Sequence, residues 1–313
     1  MLSARALRVP RRGDVSVLAV DTVELPEPRP GQALVEVAAS GVNFIDIYQR
    51  EGIYPVALPF TLGLEGAGTV VAVGPDTHLS PGDRVAWAMR PGSAATHALV
   101  DAAAAMLQGM TAHFLTTSTY AVTEGSSVLV HAAAGGVGQW LVQICAARGA
   151  TVIATAGTAA KRELALTLGA DHAIDYTAYD TPEALAAAVR EANGGRGVDV
   201  AYDGVGKSTF DASLASLRPR GMVVLFGGAS GQVTPVDLQR LNAAGSVFVT
   251  RPSLAHHVLD REELLWRATE VFDWLRIGAV HLQIGGTYRL SEAGAAYTAL
   301  ASRATTGKLL LIP

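Results

Sequence analysis

The sequence has few cysteines, few charges and no long hydrophobic run. Its single cysteine, Cys145, excludes an intramolecular disulfide and a zinc site built on several thiolates. Charged residues are 17% of the 313 and the formal net charge is −4. No Lys/Arg-rich run is present that could bind the phosphate backbone of a nucleic acid. No apolar stretch reaches the ~18 residues of a membrane span, and the N-terminus lacks a signal-peptide core. We therefore expect a soluble, cytoplasmic protein without a membrane or nucleic-acid partner, and a buried, structural Cys145.

Up to about residue 100 the apolar runs are short and bounded by proline and glycine. Examples are "QALVEVAASGV" and "GAGTVVAVG", with "PEPRPG" and "SPGD" between such runs. Alternation with a period of two, interrupted by turn residues, is typical of β-strands. This part of the chain is predicted to form a small, irregular β-domain.

From about residue 111 strand-like runs alternate with helical stretches, which indicates a doubly wound parallel sheet of the α/β class. The helices are predicted over residues 137–149, 159–168, 182–193 and 208–217. Near the C-terminus a long amphipathic helix precedes a strand "TYRL", a helix from Ser291 and a strand "KLLLIP". Two strands and one helix extend such a sheet poorly, so we expect them to return to the first domain.

A glycine-rich turn, "HAAAGGVG", lies between the predicted strand 126–132 and the helix from 137. This is where a Rossmann fingerprint must lie to bind a dinucleotide. Its first glycine is replaced by Ala133. Gly135 removes a Cβ where a pyrophosphate approaches, and Gly138 allows close packing of helix and strand. The N-terminus of the helix would then attract the phosphates.

The end of the second strand of this region selects the cofactor. An NAD site normally has an Asp or Glu there, about 20 residues beyond the glycines, for the ribose 2′-hydroxyl. Residues 154–158 contain no carboxylate, and Thr158, Lys161 and Arg162 follow the strand. Cationic side chains favour binding of a 2′-phosphate when no carboxylate is there to repel it, so NADPH is the predicted cofactor.

Several strings resemble the zinc-independent quinone oxidoreductases of the medium-chain dehydrogenase/reductase superfamily. They include "GVNFIDIYQREGIYP" (41–55), "LGLEGAGTV" (62–70), "MLQGMTAHFL" (106–115), "HAAAGGVG" (131–138), "FGGASG" (226–231) and "SRATTGKLLLIP" (302–313). The resemblance covers nearly the whole chain. It implies a GroES-like, mainly β catalytic domain (1–111 and 251–313), a Rossmann NADPH-binding domain (112–250), and a homodimer.

The resemblance also implies site residues. Lys161, Tyr176 and Arg303 match the family's 2′-phosphate group, and Tyr176 is predicted to end the third strand. Thr111 is expected beside the nicotinamide. The candidate cofactor-binding residues are Ala134, Gly135, Gly136, Val137, Gly138, Gly157, Thr158, Lys161, Tyr176, Phe226, Gly227 and Arg303.

Zinc-dependent relatives have a cysteine and a histidine where this chain has Asn43 and Leu64, so a metal-free reaction is expected. A quinone suits it, because its conjugated carbonyls accept a hydride without a Lewis acid. The protein then positions the reactants and donates hydrogen bonds. The candidate catalytic residues are Asn43, Tyr48, Tyr54 and Thr111. Asp46 is expected to hold local structure.

Two alternatives stay open at this point. One is an NADPH-dependent enoyl or enone reductase, in which a tyrosine such as Tyr48 acts as an acid. The other is a non-enzymatic, NADPH-binding crystallin-like or sensor protein. The chain also departs from the family pattern after Val100, where "THALV" runs almost directly into "DAAAAMLQG". Either this is a true shortening or a segment is missing from the recorded sequence.

Overall fold

The computed structural model describes residues 1–101 and 107–313, with Asp101 described by its backbone alone. The stretch after Val100, where the sequence departs from the family pattern, therefore lies outside the described residues. Contacts divide the chain into two compact units. The first comprises Met1–Leu107, Val258–Thr269 and Gln283–Pro313, and the second comprises Gln108–His257 and Glu270–Leu282. These bounds differ from the predicted domain limits at residues 108–111, 251–257 and 270–282, and the predicted division by function stays a prediction.

The described residues form fifteen strands and nine α-helices. The strands are β1 Leu2–Val9, β2 Ala19–Leu25, β3 Gln32–Val42, β4 Phe60–Thr61, β5 Glu65–Val73, β6 Arg84–Ala88, β7 His97–Asp101, β8 Ser127–Val130, β9 Thr151–Thr155, β10 His172–Ile174, β11 Val198–Asp203, β12 Leu217–Leu225, β13 Phe248–Thr250, β14 Ile284–Arg289 and β15 Lys308–Ile312. The helices are α1 Phe44–Glu51, α2 Leu107–Phe114, α3 Gly136–Ala147, α4 Ala159–Thr167, α5 Pro182–Ala192, α6 Phe210–Ser216, α7 Gln239–Ala243, α8 Arg261–Arg276 and α9 Ala293–Ala301.

The first unit is mainly β-structure. One sheet has the order β2-β1-β4, and a second has the order β14-β15-β3-β5-β6, with β7 also paired to β3. The last strand, β15, is antiparallel to β3 with Leu309 opposite Val42, and β14 is parallel to β15. The predicted return of the C-terminal strands to the first β region is therefore confirmed. A core that includes Leu62, Tyr297 and Leu311 packs α9 against these strands.

The second unit contains a six-stranded parallel sheet of order β10-β9-β8-β11-β12-β13, as the alternating pattern predicted. Its central residues Val128, Leu129 and Val130 are fully buried, as expected for strands covered on both faces. From β8 the chain builds outward through β9 and β10, and then in the other direction through β11. Ligands of such sheets bind where the order reverses, at the carboxyl ends of the strands.

The predicted helices lie within two residues of their observed limits. The helix predicted over 137–149 is α3, Gly136–Ala147, and the one predicted over 208–217 is α6, Phe210–Ser216. Thr181 caps α5 as expected, because its side chain accepts a hydrogen bond from the Ala184 N–H. Cys145 is fully buried in α3, and burial raises the pKa of its thiol to about 12. Within the described residues no helix has the length and apolar character needed to cross a membrane.

Candidate active site

The glycine-rich turn connects β8 to α3 at the carboxyl edge of the parallel sheet. Ala132 begins it with φ at 52°, in the left-handed region, and its carbonyl accepts the Gly135 N–H at 2.8 Å. Gln139, in the first turn of α3, closes it from the other side by donating its amide Nε2 to the Ala134 carbonyl at 2.9 Å. The turn therefore has a fixed backbone at the N-terminus of a twelve-residue helix, which is where an anion is stabilised.

Gly135 and Gly138 differ in what a side chain would meet. A Cβ at Gly138 would lie 2.3 Å from the Ala132 carbonyl oxygen and 2.9 Å from the Ala133 Cα, so this glycine is required for α3 to pack on the turn. Among the described residues, a Cβ at Gly135 would meet only the Ala132 oxygen, at 3.1 Å. Apart from this tight contact, the described residues leave the space in front of Gly135 open, which fits a pyrophosphate approaching the backbone. At Gly136 a Cβ would instead collide with the Gln108 side chain, a neighbour that the sequence did not suggest.

Four candidate residues follow β9 and β10, the two strands on one side of β8. Thr158 caps α4 by accepting the Lys161 N–H, which places both residues just after β9. The Tyr176 hydroxyl lies 3.1 Å from the position of a Cβ on Gly157. The structure therefore brings Gly157, Thr158, Lys161 and Tyr176 to one end of the sheet. Partial burial lowers the pKa of the Lys161 ammonium, as desolvation of a cation must.

Tyr176 does not end the third strand, and that prediction is wrong. Strand β10 stops at Ile174, and Tyr176 begins a short 3₁₀ turn. The cause is Asp175, whose carboxylate accepts hydrogen bonds from the Thr177 N–H and hydroxyl and so turns the chain. The same carboxylate binds the Arg162 guanidinium at 2.6 Å. Arg162 therefore holds this turn, while Lys161 lies on the adjacent position of the helix.

Phe226 and Gly227 follow β12 on the other side of the sheet. The Phe226 N–H donates to the Asp203 carbonyl at 2.9 Å, and a Cβ at Gly227 would collide with the Gly204 carbonyl. The Arg251 guanidinium also donates to the Gly227 carbonyl, at 2.9 Å. The loops after β11 and β12 are thereby fixed against each other at the same carboxyl edge as the glycine-rich turn.

Asn43 is the centre of a buried polar cluster in the first unit. It caps α1 directly after β3 and is 6% exposed. Its amide nitrogen donates to Glu65 Oε1 at 2.9 Å and to the Gly41 carbonyl at 3.2 Å, and its Oδ1 accepts from Lys308 Nζ at 2.9 Å. Both amide protons are thus committed, so any role of Asn43 toward a ligand runs through its carbonyl oxygen. Sequence reasoning missed Glu65 and Lys308.

The aromatic candidates of the first unit form one group on and after α1. Tyr48 is buried, and Tyr54 packs against it edge to face with ring centroids 5.4 Å apart. Phe44 also lies near Tyr48, with ring centroids 6.3 Å apart and the rings tilted by 35°. Gly52, which ends α1 in the left-handed region with φ at 82°, turns the chain so that Tyr54 meets Tyr48.

Asp46 stabilises this segment, as expected. Its Oδ2 accepts the Asn43 N–H at 2.9 Å and the Tyr297 hydroxyl at 3.0 Å. Burial raises the pKa of the Asp46 carboxyl from 3.8 to about 7, and those hydrogen bonds only partly oppose the shift. Between pH 3.8 and about 7 the folded protein therefore holds a proton that the unfolded chain releases, so Asp46 lowers stability as the pH rises through this window.

The remaining two candidates lie apart from these groups in sequence. Arg303 belongs to the first unit and is exposed, with φ at 57° just after α9. Thr111 belongs to the second unit and lies on α2, partly buried. The assignment of Arg303 to a phosphate site with Lys161 and Tyr176 stays a prediction, as does that of Thr111 to the nicotinamide.

Comparison with known proteins identifies the family. The family profile described as an alcohol dehydrogenase GroES-like domain matches residues 29–129, and the one described as a zinc-binding dehydrogenase matches residues 136–261. Quinone oxidoreductase from Pseudomonas aeruginosa is 40% identical over 99% of this chain and 100% of its own length. A 2-haloacrylate reductase from Burkholderia sp. is 38% identical over 97% of both.

The chain belongs to the quinone oxidoreductase family of the medium-chain dehydrogenase/reductase superfamily. Solved structures agree. The Escherichia coli quinone oxidoreductase complexed with NADPH matches with a TM-score of 0.94 and 38% identity, covering 99% of this chain and 100% of that one. A mycobacterial protein complexed with NADPH matches with a TM-score of 0.96 and 46% identity, over the same fractions. The predicted family and fold class, a Rossmann sheet with a GroES-like domain, are confirmed.

Membership of this quinone oxidoreductase family does not by itself decide whether the protein binds zinc, because one matching profile is described as a zinc-binding dehydrogenase. The candidate position Asn43 is a neutral amide engaged by Glu65 and Lys308, and Leu64 has no donor atom. Within residues 1–101 and 107–313, no three His, Cys, Asp or Glu side chains are grouped so that they could hold a metal ion.

Proposed function

We propose that this protein is an NADPH-dependent quinone oxidoreductase that reduces its acceptor without a metal ion. The observation that carries the proposal is the match at 40% identity along the full length of a curated quinone oxidoreductase. The available side chains support a metal-free reaction, since the chain has one cysteine and a neutral amide at Asn43. When bound, NADPH supplies a hydride from C4 of its nicotinamide, and a conjugated quinone accepts it without a Lewis acid.

The second unit would hold the cofactor. The turn Ala134–Gly138 and the N-terminus of α3 offer backbone N–H groups and a positive dipole end to the pyrophosphate. The open space at Gly135 is the feature that fits this ligand. The ammonium of Lys161 and the hydroxyl of Tyr176 would bind the 2′-phosphate, together with Arg303. Residues 154–158, at the end of β9, contain no carboxylate that would repel this phosphate.

The first unit would bind the acceptor and the nicotinamide side of the cofactor. Tyr48 and Tyr54 present an aromatic pair on which a flat quinone can stack and hydroxyls that can donate to its oxygens. Asn43 would accept a hydrogen bond from a cofactor hydroxyl. No residue is assigned as a general base, because Asp46 is buried in hydrogen bonds within its own segment. Thr111 would contact the nicotinamide.

A second candidate function is the reduction of an activated carbon–carbon double bond. The observation that favours it is the 38% identity to the 2-haloacrylate reductase over 97% of both chains. Such a reaction needs a proton at the α-carbon after hydride addition, and Tyr48 is the candidate donor. A quinone reduction makes less demand on a positioned acid, because its product oxygens take protons from solvent.

One assay separates these functions: loss of NADPH absorbance with 1,4-naphthoquinone, a simple enone, 2-chloroacrylate or an enoyl-CoA as the acceptor. We expect kcat/KM for the naphthoquinone to exceed the others at least tenfold, and the Michaelis constant for NADPH to lie far below that for NADH. Preference for 2-chloroacrylate or the enoyl-CoA would support the second function. Binding of NADPH without turnover of any acceptor would support a crystallin-like or sensor role.

A homodimer in the cytoplasm, where NADPH is available, completes the proposal. Strand β13 lies at the edge of the parallel sheet, and its Phe248 and Val249 are 57% and 37% exposed. An exposed apolar edge strand is a template for pairing with a second chain. Light scattering should therefore give a dimer mass for the native protein and a monomer mass for Phe248→Asp. The matched control is Leu259→Asp, at an equally apolar residue that is 78% exposed outside any strand. A dimer of Phe248→Asp would refute this interface.

A further inference from the structure

A buried ion pair lies next to Asn43 and has no part in the function described so far. Glu65 is the first residue of β5 and Lys308 the first residue of β15, and both strands pair with β3, which Asn43 follows. Glu65 and Lys308 are 7% and 6% exposed, and their side chains contact each other through Glu65 Oε1 and Lys308 Nζ. The three residues thus meet at one edge of the sheet although they are far apart in sequence.

The hydrogen bonds of this cluster are nearly complete. Lys308 Nζ donates to the Val42 carbonyl at 3.3 Å, to Asn43 Oδ1 at 2.9 Å, and to Glu65 Oε1. Glu65 Oε1 also accepts from the Asn43 amide, and Oε2 accepts from the Leu107 N–H at 2.9 Å. Burial alone would raise the pKa of the Glu65 carboxyl, but the Lys308 charge and these hydrogen bonds outweigh it and lower the pKa.

The pair fixes which way the Asn43 amide faces. Its oxygen lies against an ammonium and its nitrogen against a carboxylate. Rotating the amide by half a turn would place N–H against Lys308 and C=O against Glu65, which is unfavourable at both ends. Charge-assisted bonds of this kind are stronger than neutral ones. The backbone accommodates the arrangement, since a Cβ at Gly41 would lie 2.3 Å from Glu65 Oε1.

We propose that Glu65 and Lys308 are positioning residues that hold the Asn43 carbonyl oxygen ready to accept a hydrogen bond from a hydroxyl of NADPH. The inference rests on the proposed function, which supplies the cofactor. A quinone oxygen only accepts hydrogen bonds, and the Asn43 amide protons are committed to Gly41 and Glu65, so Asn43 acts on the cofactor. Stability alone is a weak reason for the pair, because apolar replacements of buried ion pairs are often neutral or stabilising.

The test is a double-mutant cycle on the NADPH dissociation constant, measured by fluorescence titration. Its members are Asn43→Ala, the pair variant Glu65→Gln/Lys308→Met, and the triple variant that combines them. Changing both members of the pair leaves no unpaired charge buried. Ser93→Ala is the matched control. It removes the buried Ser40–Ser93 hydrogen bond of the same unit, while the Ser40 hydroxyl keeps its bond to the backbone carbonyl of Glu65 and the side chains of the pair are unchanged.

We expect Asn43→Ala and the pair variant each to raise the NADPH dissociation constant about tenfold, the equivalent of one hydrogen bond. The triple variant should match Asn43→Ala alone, while the losses of Ser93→Ala and Asn43→Ala should multiply. The KM for naphthoquinone should change less than threefold in every variant. Should the pair variant not fold, Glu65→Gln/Lys308→Gln takes its place in the same cycle, because it too leaves no unpaired charge buried.

Losses that multiply to about a hundredfold in the triple variant would overturn the positioning role, as would a pair variant that binds NADPH like the native protein. A raised quinone KM in Asn43→Ala, with NADPH binding unchanged, would assign Asn43 to the acceptor instead. Native protein that binds NADPH but reduces no quinone refutes only the proposed function, because the binding cycle still decides the inference. Native protein that does not bind NADPH refutes both.

Discussion

The substitution Gly138→Ala tests whether the glycine-rich turn is built as described. The added Cβ would lie 2.3 Å from the Ala132 carbonyl oxygen and 3.0 Å from its carbonyl carbon. The first distance is more than ~1 Å inside the ~3.5 Å at which non-bonded heavy atoms attract most. These atoms are backbone and cannot rotate away, so α3 must move off the turn. Overpacking of this kind costs about 2–3 kcal/mol, which lowers Tm by roughly 5–10 °C.

Gly135→Ala separates binding from folding at the same turn. Its φ is −79°, which alanine adopts without strain, and within residues 1–101 and 107–313 its Cβ would meet only the Ala132 oxygen, at 3.1 Å. We expect its Tm to fall less than about 2 °C, since one contact at 3.1 Å requires a far smaller shift than the 2.3 Å contact at Gly138 and costs about 0.5 kcal/mol. The same Cβ would occupy the space proposed for the pyrophosphate, so the NADPH dissociation constant should rise about tenfold or more.

Both variants are compared with the native protein by thermal unfolding without cofactor and by NADPH titration. Gly138→Ala should lose stability and affinity together, whereas Gly135→Ala should lose affinity alone. An unchanged Tm for Gly138→Ala would refute the close packing of α3 on the turn. Unchanged NADPH affinity in Gly135→Ala would mean that the pyrophosphate does not approach there, and the cofactor site would have to be sought elsewhere.

Further predictions concern the residue that binds the 2′-phosphate, the tyrosine that could donate a proton, and the buried carboxyl of Asp46. Lys161→Ala should raise the KM for NADPH about 10–100-fold, the equivalent of one charged hydrogen bond, and leave the KM for NADH unchanged. The control is Arg162→Ala, because the Arg162 guanidinium binds Asp175, and it should change the KM for NADPH less than threefold. Tyr48→Phe should lower steady-state enone turnover at least a hundredfold if Tyr48 is the proton donor, but quinone turnover only about tenfold, the equivalent of one hydrogen bond. Equal losses would contradict this. Asp46→Asn should raise the free energy of unfolding, measured in urea at pH 8, by up to ~4 kcal/mol. The reason is that each unit by which burial raises the pKa of the Asp46 carboxyl, from 3.8 to about 7, costs the folded protein ~1.4 kcal/mol once that carboxyl is ionised. The gain should vanish toward pH 4, and a gain independent of pH would refute the assignment.

Much of the fold was predictable because its signals are local. The alternation of apolar strands with helices gave the parallel sheet, and Thr181 and Pro182 marked the start of α5. The first unit was harder, since the N-terminal strand β1 and the helix α1 were not predicted. Helix α1 is only eight residues long, and it depends on Asn43 and Asp46 at its start and Gly52 at its end. Signals this short carry little weight in a sequence.

The grouping of most candidate cofactor residues at one edge of the sheet was also predictable, and the reason is topological. Parallel strands bring their carboxyl ends to one edge, so residues that follow β8, β9 and β12 must lie near one another whatever the loops do. Tyr176 shows the limit, because the residue before it, Asp175, turns the chain through a hydrogen bond to Thr177 that strand patterns do not reveal. Contacts of this kind depend on side-chain geometry and not on periodicity.

The Glu65–Lys308 pair could not be predicted, although each residue was conspicuous. Glu65 interrupts the apolar run "LGLEGAG", and Lys308 precedes "LLLIP". A lone charge in an apolar run indicates either a strand end at the surface or a buried partner, and the sequence cannot choose between them. Only the register of β15 and β5 on β3 brings the two charges together, across 243 residues of chain. Once they are paired, the burial of each is explained by the other, and the fixed orientation of Asn43 between them is the consequence that the binding cycle measures.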